Sequence, residues 1–261
     1  MELLSDGHDH DPVTEIARIE AAYRERDAAG GASIYRFTNA GYTFYMQALE
    51  WSLLDVLRHA PFDLEGSKAL DIGCGSGYLL HRLMEFGVGT ATGVDLMPGR
   101  IEAARRRYPQ PAFVCANAAD LPFADGEFDL VTQFTCLSSV LDPGLRSAIA
   151  AEMWRVVRPG GIIVSYDMQP PPWPVRLMRQ LGEWRRQDRV AIAETATPTT
   201  PISADELRRL FPAGDPRHAS VALAFGLCET AARSHLVAQL LACIPILREH
   251  AIGVVLKPCE D

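Results

Sequence analysis

Three glycines stand within five residues directly after an apolar run, in the segment ALDIGCGSG at 69–77. Gly73, Gly75 and Gly77 carry no Cβ, so the backbone there can turn sharply and approach a ligand closely. The helix expected to begin near Tyr78 would point its N-terminal N–H groups at that ligand. The pattern is typical of a ligand-binding bend between a strand and a helix.

A carboxylate follows at the end of the next predicted strand, TATGVD at 90–95. Asp95 can accept hydrogen bonds from both hydroxyls of a ribose. Two ligand classes therefore fit, a dinucleotide and S-adenosylmethionine. The spacing GxGxG disfavours the dinucleotide, whose fingerprint is GxGxxG, because Leu79 and Leu80 stand where the third glycine would allow close helix packing.

Short apolar runs alternate with longer amphipathic segments from Lys68 onwards, and these elements must position the groups above. Strands are predicted at 68–72, 90–95, 111–116, 128–134, 161–167, 217–226 and 251–257, and helices at 77–87, 98–108, 144–157 and roughly 231–249. This alternation predicts an α/β fold, a Rossmann-like, seven-stranded, mostly parallel sheet with helices on both faces and a last antiparallel strand. Right-handed crossovers place the carboxyl ends of the parallel strands at one edge.

Two segments depart from this alternation. Residues 1–65, with helical patterns over 11–26 and up to His59, are predicted to be a helical extension or lid. Residues 66–261 are predicted to be the Rossmann-like domain, with a Pro- and Trp-rich cap insertion at about 168–202 after the fifth strand. Long irregular segments at the active edge of a sheet usually serve function. Ser203 fits the N-cap of the helix that follows.

Four ordered segments carry a resemblance to a known family: LDIGCGSG, GVD, ANAADLPFADGEFDLV and MWRVVRPGGIIVSYD. Over residues 66–167 the chain resembles the class I S-adenosylmethionine-dependent methyltransferases of the small-molecule type, similar to methyltransferase type 11. The resemblance implies S-adenosylmethionine as cofactor and S-adenosylhomocysteine as product. It also implies in-line methyl transfer to an O, N or C atom of a small, partly apolar metabolite of the natural-product kind.

The resemblance further implies a set of cofactor contacts. In chain order they are Asp71, Gly73, Cys74, Gly75, Gly77, Asp95, Leu96, Asn117, Ala118, Gln133 and Phe134. Asp71 and the loop backbone would hold the amino and carboxylate groups of the methionine part, and Asp95 the ribose. Leu96 and the backbone N–H of Ala118 would meet the adenine. Asn117 stands where the family usually has Asp, and its side-chain oxygen can still accept a hydrogen bond.

No general base stands out in the sequence. Tyr166 and Asp167, at the end of the fifth strand, are candidates for orienting or deprotonating an acceptor, although capping of a turn is the commoner role for such an aspartate. The predicted substrate contacts are Tyr35, Tyr42, Tyr45, Ser138, Tyr166, Gln169 and Trp173. Aromatic side chains at irregular spacing near a lid can stack an apolar substrate, and packing in the core is the equally weighted alternative.

The amino-acid composition further limits the possible functions. With 33 acidic and 25 basic residues the formal charge is −8, which disfavours nucleic acid as a partner. The six cysteines show no metal-ligand spacing, no apolar run is long enough to span a membrane, and the N-terminus lacks the features of a signal peptide. We expect a cytoplasmic monomer or homodimer acting on a small molecule, without metal, nucleic acid or membrane. The alternatives are a non-methylating, cyclase-like use of the bound cofactor and, less favoured, an NAD-binding oxidoreductase.

Overall fold

The computed structural model describes residues 12–28, 36–171, 173, 176, 177, 198–223, 227, 228 and 234–259. Its strands are β1 (Lys68–Ile72), β2 (Thr90–Asp95), β3 (Ala112–Cys115), β4 (Phe128–Phe134), β5 (Val157–Met168), β6 (Arg217–Leu223) and β7 (Arg248–Leu256). They form one sheet in the order β3-β2-β1-β4-β5-β7-β6. The first five strands are parallel, and β7 runs antiparallel to both β5 and β6. The predicted Rossmann-like sheet is confirmed.

The helices are α1 (Pro12–Ala28), α2 (Ala40–Arg58), α3 (Tyr78–Glu85), α4 (Pro98–Arg107), α5 (Pro143–Val156), α6 (Ala204–Leu210) and α7 (His235–Ala242). Two short 3-10 turns lie at Leu137–Ser139 and Pro245–Leu247. Side-chain N-caps begin several helices, since the side chain of Ser203 accepts the N–H of Glu206 and that of Asp142 accepts the N–H of Leu145. The predicted N-cap at Ser203 is confirmed.

Two apolar clusters cover the two faces of the sheet. On one face Leu53 of α2 and Leu80 of α3 pack with Val164 of β5, and all three are fully buried. On the other face Met153 of α5 and Leu207 of α6 belong to a second buried cluster. Because both faces are covered, the carboxyl ends of β1, β2, β4 and β5 are held as one rigid edge.

Two predicted boundaries are wrong. The helix expected at 144–157 ends at Val156, and β5 begins at once, so the segment Pro159–Gly161 lies inside the strand. A shift in the β4–β5 register between Phe128 and Leu130 accommodates it, and Gly160 has a positive φ of 75°. The helix expected to reach 249 ends at Ala242, because the chain turns at a proline and enters β7.

Some predicted features fall outside the described part of the chain. These are residues 1–11, Tyr35 and most of the cap expected at 168–202. Within the described residues, no helix has the length and apolar character that crossing a bilayer requires.

Candidate active site

The glycine loop lies at the carboxyl end of β1, as the spacing predicted. Gly73, Gly75 and Gly77 all have positive φ, at 70°, 53° and 76°. A Cβ on Gly73 would lie 2.8 Å from the Cys136 sulfur, and one on Gly77 would lie 2.8 Å from the Phe113 ring. Beside Gly75 the nearest atom is a backbone oxygen at 4.0 Å. Two glycines therefore permit close packing, and the third leaves open space for a ligand.

Asp95 is joined to this loop by hydrogen bonds. Its Oδ2 accepts the N–H of Gly75 and its Oδ1 accepts the N–H of Met97, both at 2.9 Å. Each carboxylate oxygen has a second lone pair, so the side chain can still accept two ribose hydroxyls. The Cys74 N–H donates to the carbonyl of Val94 at 2.9 Å, which fixes the loop against β2. The shape of the loop and the position of the Asp95 carboxylate are thus coupled.

A second carboxylate, Asp71, is buried at the end of β1. Its Oδ1 accepts a hydrogen bond from the hydroxyl of Thr132 on β4 at 2.7 Å. Burial, together with the nearby negative charge of Asp95, raises the pKa of Asp71 to about 7. The hydrogen bond from the Thr132 hydroxyl lowers the pKa of Asp71. A cationic ligand beside Asp71 would favour the ionised form, so this is a site at which positive charge is favourable.

Asn117 and Ala118 lie in a turn after β3 that borders the site. Asn117 Oδ1 accepts the N–H of Ala119 at 3.0 Å, and its backbone oxygen accepts the N–H of Asp120 at 3.0 Å. The side chain therefore shapes the turn itself. Leu96, also expected to meet an adenine, is half-buried after β2, and its carbonyl lies 3.6 Å from the Cys115 sulfur.

A buried polar cluster joins the ends of β4 and β5. Gln133 Nε2 donates to Ser165 Oγ and to Asp167 Oδ2, both at 2.6 Å. Asp167 Oδ1 accepts the N–H of Ser138 at 3.2 Å, and Gln133 Oε1 accepts the N–H of Cys136 at 2.9 Å. Burial raises the pKa of Asp167 to about 6. The partners of Asp167 are those of a residue that caps the turn after β4.

The residue that follows β4 has a strained backbone. Thr135 is the non-glycine residue with positive φ in the described chain, at 58°. Its N–H donates to the carbonyl of Tyr166 at 2.7 Å, and its own carbonyl accepts the hydroxyl of Ser139 at 3.0 Å. Such strain is often kept at functional sites, and here it shapes the turn beside the glycine loop.

Aromatic side chains gather beyond Phe134, on the side of the sheet that α2 covers. Tyr166 is fully buried, and its ring centroid lies 6.5 Å from that of Phe134 and 6.0 Å from that of Tyr45. Tyr42 stacks on Tyr45 at 6.3 Å. His250 of β7 joins this group, with its ring 5.6 Å from that of Tyr166. Three of the predicted substrate residues, Tyr42, Tyr45 and Tyr166, are thus brought together.

The remaining predicted substrate residues are more dispersed. Ser138 is buried in the polar cluster. Gln169 donates to the hydroxyl of Ser220 and to the carbonyl of Arg248, which ties β5 to β6 and β7. Trp173 is 63% exposed, and Tyr35 is outside the described residues.

Helix α1 docks on the turn after β4. Glu15 accepts the N–H of Leu141 and is bound by Arg18, whose Nε lies 2.7 Å from Glu15 Oε2. Arg18 Nη2 also donates to the carbonyl of Ser139 at 2.7 Å. Burial alone would raise the pKa of Glu15, but the hydrogen bonds from Arg18 and Leu141 hold it below its usual value. A paired, buried carboxylate therefore anchors this end of the helix.

The other end of α1 reaches α4, next to Asp95. The Arg100 guanidinium binds Asp27 at 2.7 and 3.0 Å and lies 4.3 Å from the centre of the Tyr23 ring. The Tyr23 hydroxyl lies 3.0 Å from Ser139 Oγ. Burial raises the pKa of Tyr23. The helix therefore spans the carboxyl edge of the sheet from β4 to the helix after β2.

Comparison with known proteins identifies the family. Residues 70–165 match the family model described as a methyltransferase domain. A demethylmenaquinone methyltransferase of Beutenbergia cavernae is 38% identical over 141 residues, which are 53% of this chain and 55% of that protein. One from Roseiflexus sp. (strain RS-1) is 32% identical over 200 residues, 74% of this chain and 80% of that protein. The chain belongs to the class I S-adenosylmethionine-dependent methyltransferases.

The relatives differ in the share of their length that this chain matches. The chain spans about half the length of the Beutenbergia relative. A fatty-acid O-methyltransferase of Mycolicibacterium smegmatis is 38% identical over 124 residues, 44% of this chain and 43% of that protein. The cofactor of this family member is S-adenosylmethionine.

Several solved structures share the fold of this chain. A Pyrococcus horikoshii OT3 protein gives a TM-score of 0.60 at 17% identity, covering 86% of this chain and 95% of its own. The 4+2 cyclase SpnF gives 0.57 at 18% identity, covering 95% and 96%. An S-adenosylmethionine-dependent methyltransferase of Methanosarcina mazei gives 0.54 at 22% identity, covering 78% and 98%. At these identities the likeness establishes the architecture of the methyltransferase.

The residues present fit the methyltransferase cofactor. The space beside Gly75 admits a ligand, Asp95 keeps free lone pairs, and Asp71 offers a buried negative charge. Sequence reasoning missed Thr132, whose only signal was a hydroxyl-bearing side chain inside the largely apolar strand FDLVTQF. It also missed the docking of α1. In the described part of the chain, no group of three or more His, Cys, Asp or Glu side chains is arranged to hold a metal ion.

Proposed function

We propose that this methyltransferase moves a methyl group from S-adenosylmethionine to an O, N or C atom of a small, partly apolar metabolite. The observation that carries the proposal is the pair of buried carboxylates at the ends of β1 and β2, Asp71 and Asp95, of which Asp95 accepts the N–H of Gly75 beside open space. When bound, the cofactor supplies a methyl group on positively charged sulfur, which is already activated for transfer.

The charge of the ligand distinguishes S-adenosylmethionine from a dinucleotide at this site. A pyrophosphate would bring negative charge towards Asp71, whose pKa is already raised to about 7 by burial and by Asp95. A ligand with an ammonium and a sulfonium group would instead favour the ionised carboxylate. The site therefore discriminates by electrostatics as well as by glycine spacing.

The roles of the chain's own residues follow from this arrangement. We assign the amino acid end of the cofactor to Asp71 and the loop backbone, and the ribose to Asp95. Leu96, Asn117 and Ala118 border the adenine, and the backbone around Gln133 and Phe134 faces the methionine part. The work of these residues is to align the two reactants and to exclude water, so a dedicated base is not required for every acceptor.

Several features support an acceptor of low polarity. Tyr42, Tyr45 and Tyr166 form an aromatic group beside Phe134, next to the ends of β4 and β5. Relatives of this chain are named for demethylmenaquinone and for fatty acids, both apolar acceptors. Apolar acceptors gain affinity from such surroundings by burial of their surface.

The N-terminal segment 1–65 is proposed to act as a lid. Support comes from α1, which contacts Ser139 after β4 and Arg100 beside β2 and so crosses the cofactor edge. If α1 covers the cofactor, its amide hydrogens should exchange more slowly when S-adenosylhomocysteine is bound. Unchanged exchange across Pro12–Ala28 would argue against the lid. The segment 168–202 is proposed as the second part of this cover.

Transfer of a labelled methyl group tests the function. The protein is incubated with methyl-labelled S-adenosylmethionine and a metabolite extract, and label is followed into extractable products. The expected result is a labelled small molecule that is absent with Asp71→Asn. Turnover of an extract component without label transfer would instead favour the cyclase-like alternative.

A further inference from the structure

Two buried polar atoms near Phe134 have no hydrogen-bond partner among the described residues. They are the hydroxyl oxygen of Tyr166 and Nδ1 of His250. Tyr166 has no exposed surface and His250 is 8% exposed. Buried polar atoms in folded proteins are nearly always paired, because leaving one unpaired is costly. Two of them in one place indicate a partner that the described residues do not supply.

The two side chains lie side by side on one face of the sheet. Their ring centroids are 5.6 Å apart with planes inclined by 13°, and the edge of Tyr45 approaches both rings, at 6.0 and 4.8 Å. Tyr166 pairs with Phe134 of β4 and Ile252 of β7, and His250 lies two residues before Ile252 on the same side of β7. The pair therefore lies on the face of the sheet that α2 covers, beside Phe134 at the end of β4.

The chemistry of the pair restricts what can bind. Burial raises the pKa of Tyr166 well above its usual value, so its hydroxyl stays protonated and can donate. Burial lowers the pKa of His250 to about 4, so the imidazole is neutral near pH 7. Three neighbouring titratable groups raise the pKa of Tyr166 further: Tyr45 on α2, whose side chain approaches the Tyr166 hydroxyl, Cys228 and Asp167.

A hydroxyl group matches this pair better than other polar groups. It can accept from Tyr166 and can either donate to or accept from Nδ1, so both tautomers of His250 are satisfied. A carbonyl oxygen only accepts, which leaves Nδ1 unpaired when the other ring nitrogen carries the proton. A charged group would be buried against two neutral side chains, without compensation. The surrounding rings of Tyr45 and Phe134 favour an apolar, ring-bearing molecule.

We propose that the Tyr166 hydroxyl and His250 Nδ1 together bind a hydroxyl group of the acceptor, which is a ring compound of low polarity. This rests on the proposed methyl transfer and names the class of acceptor. Tyr166 and His250 thereby determine specificity, a role that the sequence did not assign to His250.

Binding of 1-naphthol and of naphthalene tests the pair, because the two probes differ by one hydroxyl. The wild-type protein, saturated with S-adenosylhomocysteine, is expected to bind 1-naphthol about tenfold more tightly than naphthalene. Tyr166→Phe and His250→Phe should each weaken 1-naphthol binding by about threefold to tenfold, with the Kd of naphthalene unchanged. His250→Asn keeps an acceptor near the position of Nδ1 and should retain part of the preference. Tyr108→Phe, which alters a tyrosine stacked on His81, is the matched control.

Three results would overturn the proposal. They are equal affinity of the wild-type protein for the two probes, no measurable binding of 1-naphthol, and a preference that survives both phenylalanine variants. A second measurement addresses the structure directly. Since the Tyr166 hydroxyl has no described partner, Tyr166→Phe should leave the urea midpoint unchanged or raise it. A lower midpoint would show a structural role instead.

Failure of this proposal and failure of the proposed function are distinguishable. Binding of S-adenosylhomocysteine alone depends on the glycine loop and Asp95. Its Kd should therefore be equal in the wild-type, Tyr166→Phe and His250→Phe proteins. Normal binding of S-adenosylhomocysteine with no 1-naphthol preference would reject only the hydroxyl pair. A 1-naphthol preference without S-adenosylhomocysteine binding would reject the methyl-transfer function.

Discussion

Replacing Asp95 with asparagine is expected to damage both the glycine loop and ligand binding. The carboxylate accepts the N–H of Gly75 and that of Met97, each at 2.9 Å. In Asp95→Asn one oxygen becomes an NH2 group that cannot accept, so one N–H loses its partner and the other loses a charged one. Hydrogen bonds to charged groups contribute about 1.5–3 kcal/mol. The free energy of unfolding should therefore fall by about 2–3 kcal/mol.

Ligand affinity should fall for the same reason. One ribose hydroxyl loses its acceptor, and the other binds a neutral instead of a charged oxygen. A loss of about 2–3 kcal/mol corresponds to a Kd for S-adenosylhomocysteine that is roughly 30- to 150-fold higher. Isothermal titration calorimetry at pH 7 measures the Kd, and urea unfolding of the same preparations measures the stability.

Asp129 provides a matched control at the opposite edge of the sheet. Its Oδ2 accepts the N–H of Lys68 at 2.8 Å, and its Oδ1 lies 2.6 Å from Nε of Arg158. Asp129→Asn should also lower stability, while the Kd for S-adenosylhomocysteine stays within about twofold because no ligand contact is lost. The reasoning is refuted if Asp95→Asn loses stability but binds normally, or if Asp129→Asn weakens binding equally.

Three further predictions follow from the same geometry. The raised pKa of Asp71, about 7 when folded against an ordinary 3.8, means that its contribution to stability is lost as the pH rises towards 7. A ligand ammonium favours the ionised form, so S-adenosylhomocysteine binding should tighten over that range and release a proton. Gly77→Ala, with φ at 76° and a Cβ 2.8 Å from Phe113, should lower the free energy of unfolding by about 2–4 kcal/mol. Ser203→Ala removes the N-cap of α6 and should cost about 1 kcal/mol.

Each of these has a direct check. Calorimetry in two buffers of different ionisation enthalpy detects the released proton, which should vanish in Asp71→Asn; persistence of the signal would place the titration elsewhere. Gly99→Ala has no atom within 4 Å of the new Cβ and should leave urea unfolding unchanged or slightly more stable. Equal behaviour of Gly77→Ala and Gly99→Ala would contradict the packing argument. The stability of Ser203→Ala is measured by the same urea unfolding assay. An unchanged midpoint would show that the N-cap does not contribute to stability.

Local chemistry explains what the sequence predicts well. The segments KALDI, TATGVD and FDLVTQF become β1, β2 and β4 with the expected bounds, because each is an apolar run closed by turn-forming residues. Glycine spacing places the loop and Asp95 together, since parallel strands end at one edge. The strand bounds and the position of the glycine loop therefore depend on residues that are close together in the sequence.

Contacts between distant residues explain what the sequence did not predict. Glu15 meets Leu141 only after α1 docks across the sheet edge, and no local pattern encodes that docking. His250 reaches Tyr166 through the antiparallel register of β7, where a shift by one residue would turn it to the other face. Asp167 was a candidate for acting on the acceptor, but its hydrogen bonds to Gln133 and Ser138 hold the turn after β4.

Calorimetric titration with three ligands tests the central claim, that the loop at 73–77 and Asp95 hold a sulfonium nucleoside. Each of S-adenosylmethionine, S-adenosylhomocysteine and NADH is titrated into the purified protein at the same pH and ionic strength. We expect saturable heat at one site for the first two and none for NADH. Heat with NADH alone would contradict the account.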